Sequence, residues 1–302
     1  MQINRRRFIS FVSAACLTAA ANPASAFRWQ GVALGAKAQI VLDHPEAEEI
    51  TRAAEAEISR LEGIFSLYRT DSEIMRLNRD GRLDAPSFEM LECLTLARQV
   101  HEVTQGRFDP TVQPLWRVLA EAGVAGMEPE AAAVEAARAA VGFGRVQIEA
   151  DRITLGAGQA LTLNGIAQGF IADKVADFMR TRGVGDVLID TGEIVALGNG
   201  PDGAGWPVRI KGEDHARLWQ GRALASSATL GTVMGADGRQ GHILSADGMA
   251  TLPTQVTVSA PRAGLADALS TAFCLVPDAQ TATKFLRVFK AARLERFVQT
   301  ST

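Results

Sequence analysis

The chain has little with which to staple itself or to build a metal cluster from its side chains. Its 302 residues include three cysteines and four histidines. Cys16 falls in the N-terminal segment, which leaves Cys93 and Cys274. Two thiols suffice for one disulfide but not for a disulfide framework. Each also reads as a small apolar side chain on a buried helix face. The histidines are too scattered for the spacing of a Cys/His metal site. There is no excess of positive charge, so the electrostatic footprint of a nucleic-acid or anionic-membrane binder is missing. The apolar run from Phe11 to Ala21 is too short and alanine-rich for a membrane span, which needs about 20 apolar residues. No internal repeat or low-complexity linker is present, and Gly198 to Gly205 reads as a turn-rich loop. Tyrosine occurs once, at Tyr68.

What is present begins with an address. Asn4-Arg5-Arg6-Arg7-Phe8-Ile9-Ser10 pairs arginines ahead of an aromatic and an aliphatic residue. An apolar stretch follows, then the small-x-small cleavage site Ala24-Ser25-Ala26. This is the layout of a secretory signal, and the arginine pair predicts twin-arginine export with a mature chain starting at Phe27. The same arginines also suit the positive n-region of an unfolded-chain signal. Residues 1–26 carry Arg5, Arg6 and Arg7 and no acid, so residues 27–302 hold 28 basic and 34 acidic residues, a net charge of −6. A periplasmic, mildly acidic globular domain is expected.

Hydrophobic content of 47% with 22% charged residues is ordinary for an enzyme of one large domain. Apolar periodicity predicts helices over Glu46–Leu61, Pro86–Gly106, Pro129–Val141, Ile166–Thr181, Leu265–Phe273 and Ala279–Ala292. Strands are expected at Ala38–Leu42, Val187–Ile189, Val208–Lys211, Gln255–Ser259 and Arg296–Val298, with a hairpin around Ala150-Asp151. The order lacks a strict βαβ rhythm, so the class is α+β.

Four segments carry more chemistry than a scaffold needs. Phe65-Ser66-Leu67-Tyr68, running to Ser72-Glu73, surrounds the single tyrosine with turn formers. Gly106-Arg107-Phe108-Asp109-Pro110-Thr111-Val112, closed by Pro114-Leu115, predicts an extended backbone fixed by its prolines. Asn164-Gly165-Ile166-Ala167-Gln168-Gly169 opens a helix whose first N–H groups suit phosphate. Asp267-Ala268-Leu269-Ser270-Thr271-Ala272 puts a carboxylate and a hydroxyl four residues apart, on one side of a helix. That pair suits a hard cation such as Mg2+; equally, Asp267 suits a helix N-terminal dipole.

In this order, from about Ala33 to Ala272, the segments resemble the ApbE family of flavin transferases. The resemblance implies a single T-fold-like catalytic unit over residues 27–302 that splits FAD and attaches FMN through a phosphoester to a threonine or serine of an acceptor protein. It implies Mg2+ on Asp267, Thr271 and the Gly165 carbonyl. FAD contacts are implied at Leu34, Tyr68, Arg107, Phe108, Asp109, Gln168 and Ile243. Gly241-His242-Ile243-Leu244 resembles the family's H-I-L-D-P segment, which makes His242 the candidate base for the acceptor hydroxyl. Exported members resemble the accessory transferase of nitrous-oxide respiration, whose acceptor is a subunit of a membrane electron-transfer complex.

The chain also departs from the pattern. Gln168 stands where Lys or Glu is usual, Thr162 where Asp often stands, Asn164 for a glycine, and Ser245-Ala246 for Asp-Pro. Loss of charge at Gln168 and Thr162 leaves open a protein that binds FAD without transferring it, or a non-catalytic accessory subunit of a respiratory complex.

Overall fold

A computed structural model describes residues 17–19, 26–234, 240–246 and 252–300. The arginine pair and Ala24-Ser25 of the cleavage site lie outside the described residues.

One antiparallel sheet organises the chain. Strands β1 (Leu17–Ala19), β2 (Phe27–Ala33) and β3 (Ala36–Leu42) come first. Later come β7 (Val187–Asp190), β8 (Ile194–Leu197), β9 (Trp206–Ile210), β10 (Arg217–Trp219), β11 (Arg222–Ala228), β14 (Thr254–Ala260) and β15 (Arg293–Gln299). The central sheet has seven strands in the order β15-β14-β11-β8-β7-β3-β2, every neighbour antiparallel. A smaller sheet, β1-β9-β10, is not hydrogen-bonded to it.

Period-2 alternation sends the two faces of the central strands into different cores. Val187, Ile189, Val195 and Leu197 join the main core, whereas Leu188, Ile194 and Ala196 join Trp206, Trp219 and Val208 in a second. The main core is shared with α1 (Ala47–Phe65), α3 (Phe88–Val103), α6 (Ala167–Thr181) and α7 (Ala263–Phe273). Helix α7 packs on β11 and β14, and α6 packs on α7, α1 and β8. Both faces of the sheet are therefore covered, one by helices and one by the small sheet, an α+β arrangement.

Three short strands, β4 (Arg82–Asp84), β5 (Gln147–Ile148) and β6 (Arg152–Thr154), form a third sheet, and β5-β6 is the expected hairpin. Two more, β12 (Val233–Met234) and β13 (Gln240–Gly241), pair with each other.

The structure differs from the periodicity at several places. Helix α1 continues through Gly63 to Phe65, because Ile64 and Phe65 are buried in the core and packing outweighs glycine's helix cost of about 1 kcal/mol. Helix α2 (Glu73–Asp80) was not expected; Ser72 caps it by accepting the Met75 N–H. Pro110 to Pro114 is not extended. Pro110–Val112 is a 3-10 turn that runs into α4 (Gln113–Ala125), with each proline in a first turn, where its missing N–H costs nothing. Helix α5 (Ala131–Ala140) and α8 (Ala279–Leu286) are shorter than expected, and β15 is longer. Cys93 and Cys274 are both buried and no disulfide joins them, Cys93 lying on α3 and Cys274 just past α7. No described helix is long and apolar enough to cross a membrane.

Candidate active site

The β2–β3 hairpin turns on Leu34-Gly35, with Ala33 paired to Ala36. Leu34 holds a positive φ of 48°, a strained choice for a side-chain-bearing residue. Its N–H donates to Glu62 Oε1 on α1 at 2.7 Å, which fixes the tip against the helix. Beyond α1, Ser66 Oγ accepts the Tyr68 N–H, and Ser72 Oγ donates to the Ser66 carbonyl. The serines and Glu73, which accepts from Ser87, thus shape the loop that carries Tyr68. Tyr68 is 42% exposed, and its partial burial pushes the phenol up to about 12, so it stays a neutral hydrogen-bonding group.

Asp109 is occupied locally. Its Oδ1 accepts the Thr111 N–H and hydroxyl, and its Oδ2 accepts the Phe143 N–H. Thr111 Oγ1 in turn accepts the Gly142 N–H, and His101 Nδ1 donates to the Phe108 carbonyl. The motif around Phe108 is therefore a stapled turn, and Asp109 is one of its staples.

Helices α6 and α7 meet closely at Gly169, which has no side chain. A methyl group at Gly169 would overlap the Ala263 carbonyl, so only glycine permits this approach. Gly169 N–H donates to Asp267 Oδ2 at 3.1 Å. One turn on, Asp173 accepts the Ala263 and Gly264 N–H groups at the start of α7, at 2.8 and 2.9 Å. The start of α6 is accordingly not an open phosphate cradle. Ala167 N–H is bonded to the Leu163 carbonyl and Gly169 N–H to Asp267.

Asp267 is 2% exposed, and its Oδ1 has no hydrogen-bond partner among the described residues. Burial raises its pKa, and the nearby charge of Asp173 adds to the effect. Thr271 Oγ1 lies 3.2 Å from Ser227 Oγ on β11. A Cβ at Gly165 would stand 3.0 Å from that same Thr271 Oγ1, so a side chain at 165 would fill the space in front of the hydroxyl. Among the described residues no three His, Cys, Asp or Glu side chains gather as a metal site. The side-chain donors here are a carboxylate and a hydroxyl, with the Gly165 backbone beside them. That all-oxygen set fits Mg2+, which keeps several waters beside one or two protein ligands.

All eleven residues singled out above line one cavity of about 320 Å3: Leu34, Tyr68, Arg107, Phe108, Asp109, Gly165, Gln168, His242, Ile243, Asp267 and Thr271. They come from six separate stretches of chain. His242 Nδ1 lies 3.0 Å from the Thr232 carbonyl. Burial lowers its pKa, offset in part by the Thr232 and Thr229 backbone, so the ring is neutral at pH 7. The same wall includes residues not anticipated from sequence, notably Glu193, Ser226 and Ser227. A lone Glu after a Gly-turn and two serines in a small-residue strand give no local sign of a site.

Known proteins share this fold. The flavinyl transferase ApbE of Pseudomonas stutzeri, in its apo form, is 26% identical with a TM-score of 0.76, over 92% of this chain and 94% of that one. The flavin transferase ApbE of Vibrio cholerae superposes with a TM-score of 0.75 at 20% identity, over 92% and 97%. A curated FAD:protein FMN transferase of Vibrio cholerae is 27% identical over 218 residues, 68% of this chain and 65% of its own length. The chain spans between half and two-thirds of the lengths of the first curated relatives it matches. A sequence profile described as ApbE family covers residues 34–293, the span that contains every wall of the cavity, and the chain belongs to that family.

Proposed function

We propose that the protein is an FAD:protein FMN transferase. It moves FMN from FAD to a threonine or serine hydroxyl of an acceptor flavoprotein, forming a phosphoester and releasing AMP. The observation that carries this reading is the convergence of Asp267, Thr271 and Gly165 with the flavin-side residues and His242 in one cavity. Its volume of about 320 Å3 is at the lower end of small-molecule sites, roughly 300–1,000 Å3.

Phosphoryl transfer from a pyrophosphate depends on charge neutralisation and in-line positioning more than on covalent help. Mg2+, when bound, supplies the positive charge that polarises the pyrophosphate. Asp267 Oδ1, Thr271 Oγ1 and the Gly165 carbonyl would hold it, with Asp267 oriented by the Gly169 N–H. Leu34, Leu67, Phe108 and Ile243 provide apolar wall for the flavin ring, and Tyr68 and Arg107 stand on the same wall as polar groups. The neutral imidazole of His242 takes the proton from the acceptor hydroxyl as the phosphoester forms.

Gln168 and Thr162 are compatible with this role. The Thr162 N–H donates to the Pro110 carbonyl and its Oγ1 accepts the Asn164 N–H, so a hydroxyl suffices to hold the loop. We place the site of action outside the cytoplasmic membrane after twin-arginine export, with an acceptor subunit of a membrane electron-transfer complex of the nitrous-oxide type. Strand β2 opens at Phe27, the expected mature start, which supports a fold that does not need residues 1–26 for its central sheet.

The test is direct. The mature protein is incubated with FAD, Mg2+ and a candidate acceptor domain, and the acceptor is examined for flavin fluorescence in a denaturing gel. Fluorescent acceptor with matching AMP release is expected. FAD binding with neither product would instead mark a flavin-holding protein.

A further inference from the structure

Glu193 sits at the start of the β8 segment, 5% exposed, in the wall of the cavity that also holds Asp267. Its Oε2 accepts the Ser226 N–H of β11 at 3.0 Å. Its Oε1 has no hydrogen-bond partner among the described residues. Burial and the neighbouring charges of Asp267 and Asp190 disfavour its ionised form, against the Ser226 N–H, which favours it. Gln168 reinforces this. Its amide lies against Gly192, 2.9 Å from where a Cβ would stand, so the side chain packed on the residue before Glu193 is neutral.

Neither Glu193 nor Asp267 has a lysine or arginine bonded to it among the described residues, although Arg107 lines the same cavity, and two such buried carboxylates are costly unless something positive joins them. We propose that Glu193 is a positioning residue for the divalent cation: its free carboxylate oxygen accepts a hydrogen bond from the cation's water shell and so strengthens the site formed by Asp267, Thr271 and Gly165. The inference rests on the transferase reading, because that reading brings the cation to Asp267. It assigns the electrostatic need for Mg2+ to two acids, one on α7 and one at β8.

The test compares wild type with Glu193→Gln, which keeps an oxygen for the Ser226 N–H and removes only the charge. Mg2+ affinity is measured by calorimetry on the full mature chain, and FAD affinity by flavin fluorescence without metal. Outer-shell carboxylates typically contribute about 10–100-fold to metal affinity. Mg2+ binding is expected to weaken by at least about tenfold, metal-free FAD binding to hold or tighten, and the metal-free melting temperature to hold or rise as a buried charge is removed. Unchanged Mg2+ affinity in E193Q overturns the inference while leaving the transferase intact. Weaker metal-free FAD binding also overturns it, by making Glu193 a nucleotide contact. A wild-type chain that binds no Mg2+ in either state overturns the transferase reading, and the role of Glu193 with it.

Discussion

The amide of Gly169, in the first turn of α6, donates to Oδ2 of Asp267 on α7, across 98 positions of sequence. This bond uses an N–H that a helix start leaves unpaired and turns it into the device that aims a buried carboxylate. Asp173 repeats the arrangement in the other direction, from α6 to the first amides of α7. The two helices are thus locked by reciprocal carboxylate–amide bonds, and the cavity wall depends on their separation.

Gly169→Ala is therefore expected to act on both stability and site. Its methyl group meets the Ala263 backbone, which cannot move aside as a side chain would. Overpacking of this kind costs roughly 1–3 kcal/mol. Urea unfolding should show a loss of that size, together with weaker Mg2+ binding. Unchanged stability would mean the helices separate more easily than their packing indicates.

Asp190 offers a test by pH. Its Oδ1 accepts the Gly192 N–H, yet burial raises its pKa from 3.8 to about 6. The folded chain keeps this proton to a higher pH than the unfolded chain does. The contribution to stability is therefore full below pH 3.8 and lost as pH rises to about 6. The shift corresponds to at most about 3 kcal/mol. Asp190→Asn preserves the acceptor for Gly192 and should flatten the stability–pH curve across that window, measured by urea unfolding at successive pH values.

His242 sets an expectation for the rate. Burial holds its imidazole below its usual 6.5, so the base form persists into mildly acidic solution. The acid limb of kcat/KM for transfer should fall with a midpoint below 6.5. His242→Asn should lower the rate by about 10²–10⁴ and remove that limb. The same limb in H242N would assign it to another group.

The N-terminus supplies a prediction of a different kind. Sequencing of the exported protein should begin at Phe27. That cleavage removes β1, whose Leu17 to Ala19 pair with Ile210 to Val208, and leaves one edge of β9 uncovered. A mature chain that retains β1 would show that the leader remains part of the small sheet.

Much of the site was legible because its signals are local. Asp267 and Thr271 share a helix face by spacing alone, and the Phe108 turn declares itself through Asp109 and two prolines. Even there, the prolines read as extended backbone when they in fact start a 3-10 turn and α4, because proline suits a first helical turn as well as an extended chain. Strand β11 escaped notice: Arg222-Ala223-Leu224-Ala225-Ser226-Ser227-Ala228 lacks the β-branched and aromatic residues that mark strands. It is a strand because β8 and β14 hold it on either side.

The sequence by itself determined the twin-arginine address as an expectation, the α+β class, the helix carrying Asp267 and Thr271, and, through its resemblance to a family, eleven of the residues that line the cavity. Those follow from short-range periodicity and from motif order. Only the tertiary structure decided that Gly169 aims Asp267, that Asp109 staples its own turn, and that Glu193 joins the same cavity. Each depends on chain segments brought together by packing, where burial and distance, rather than residue type, fix the charge and orientation of a carboxylate.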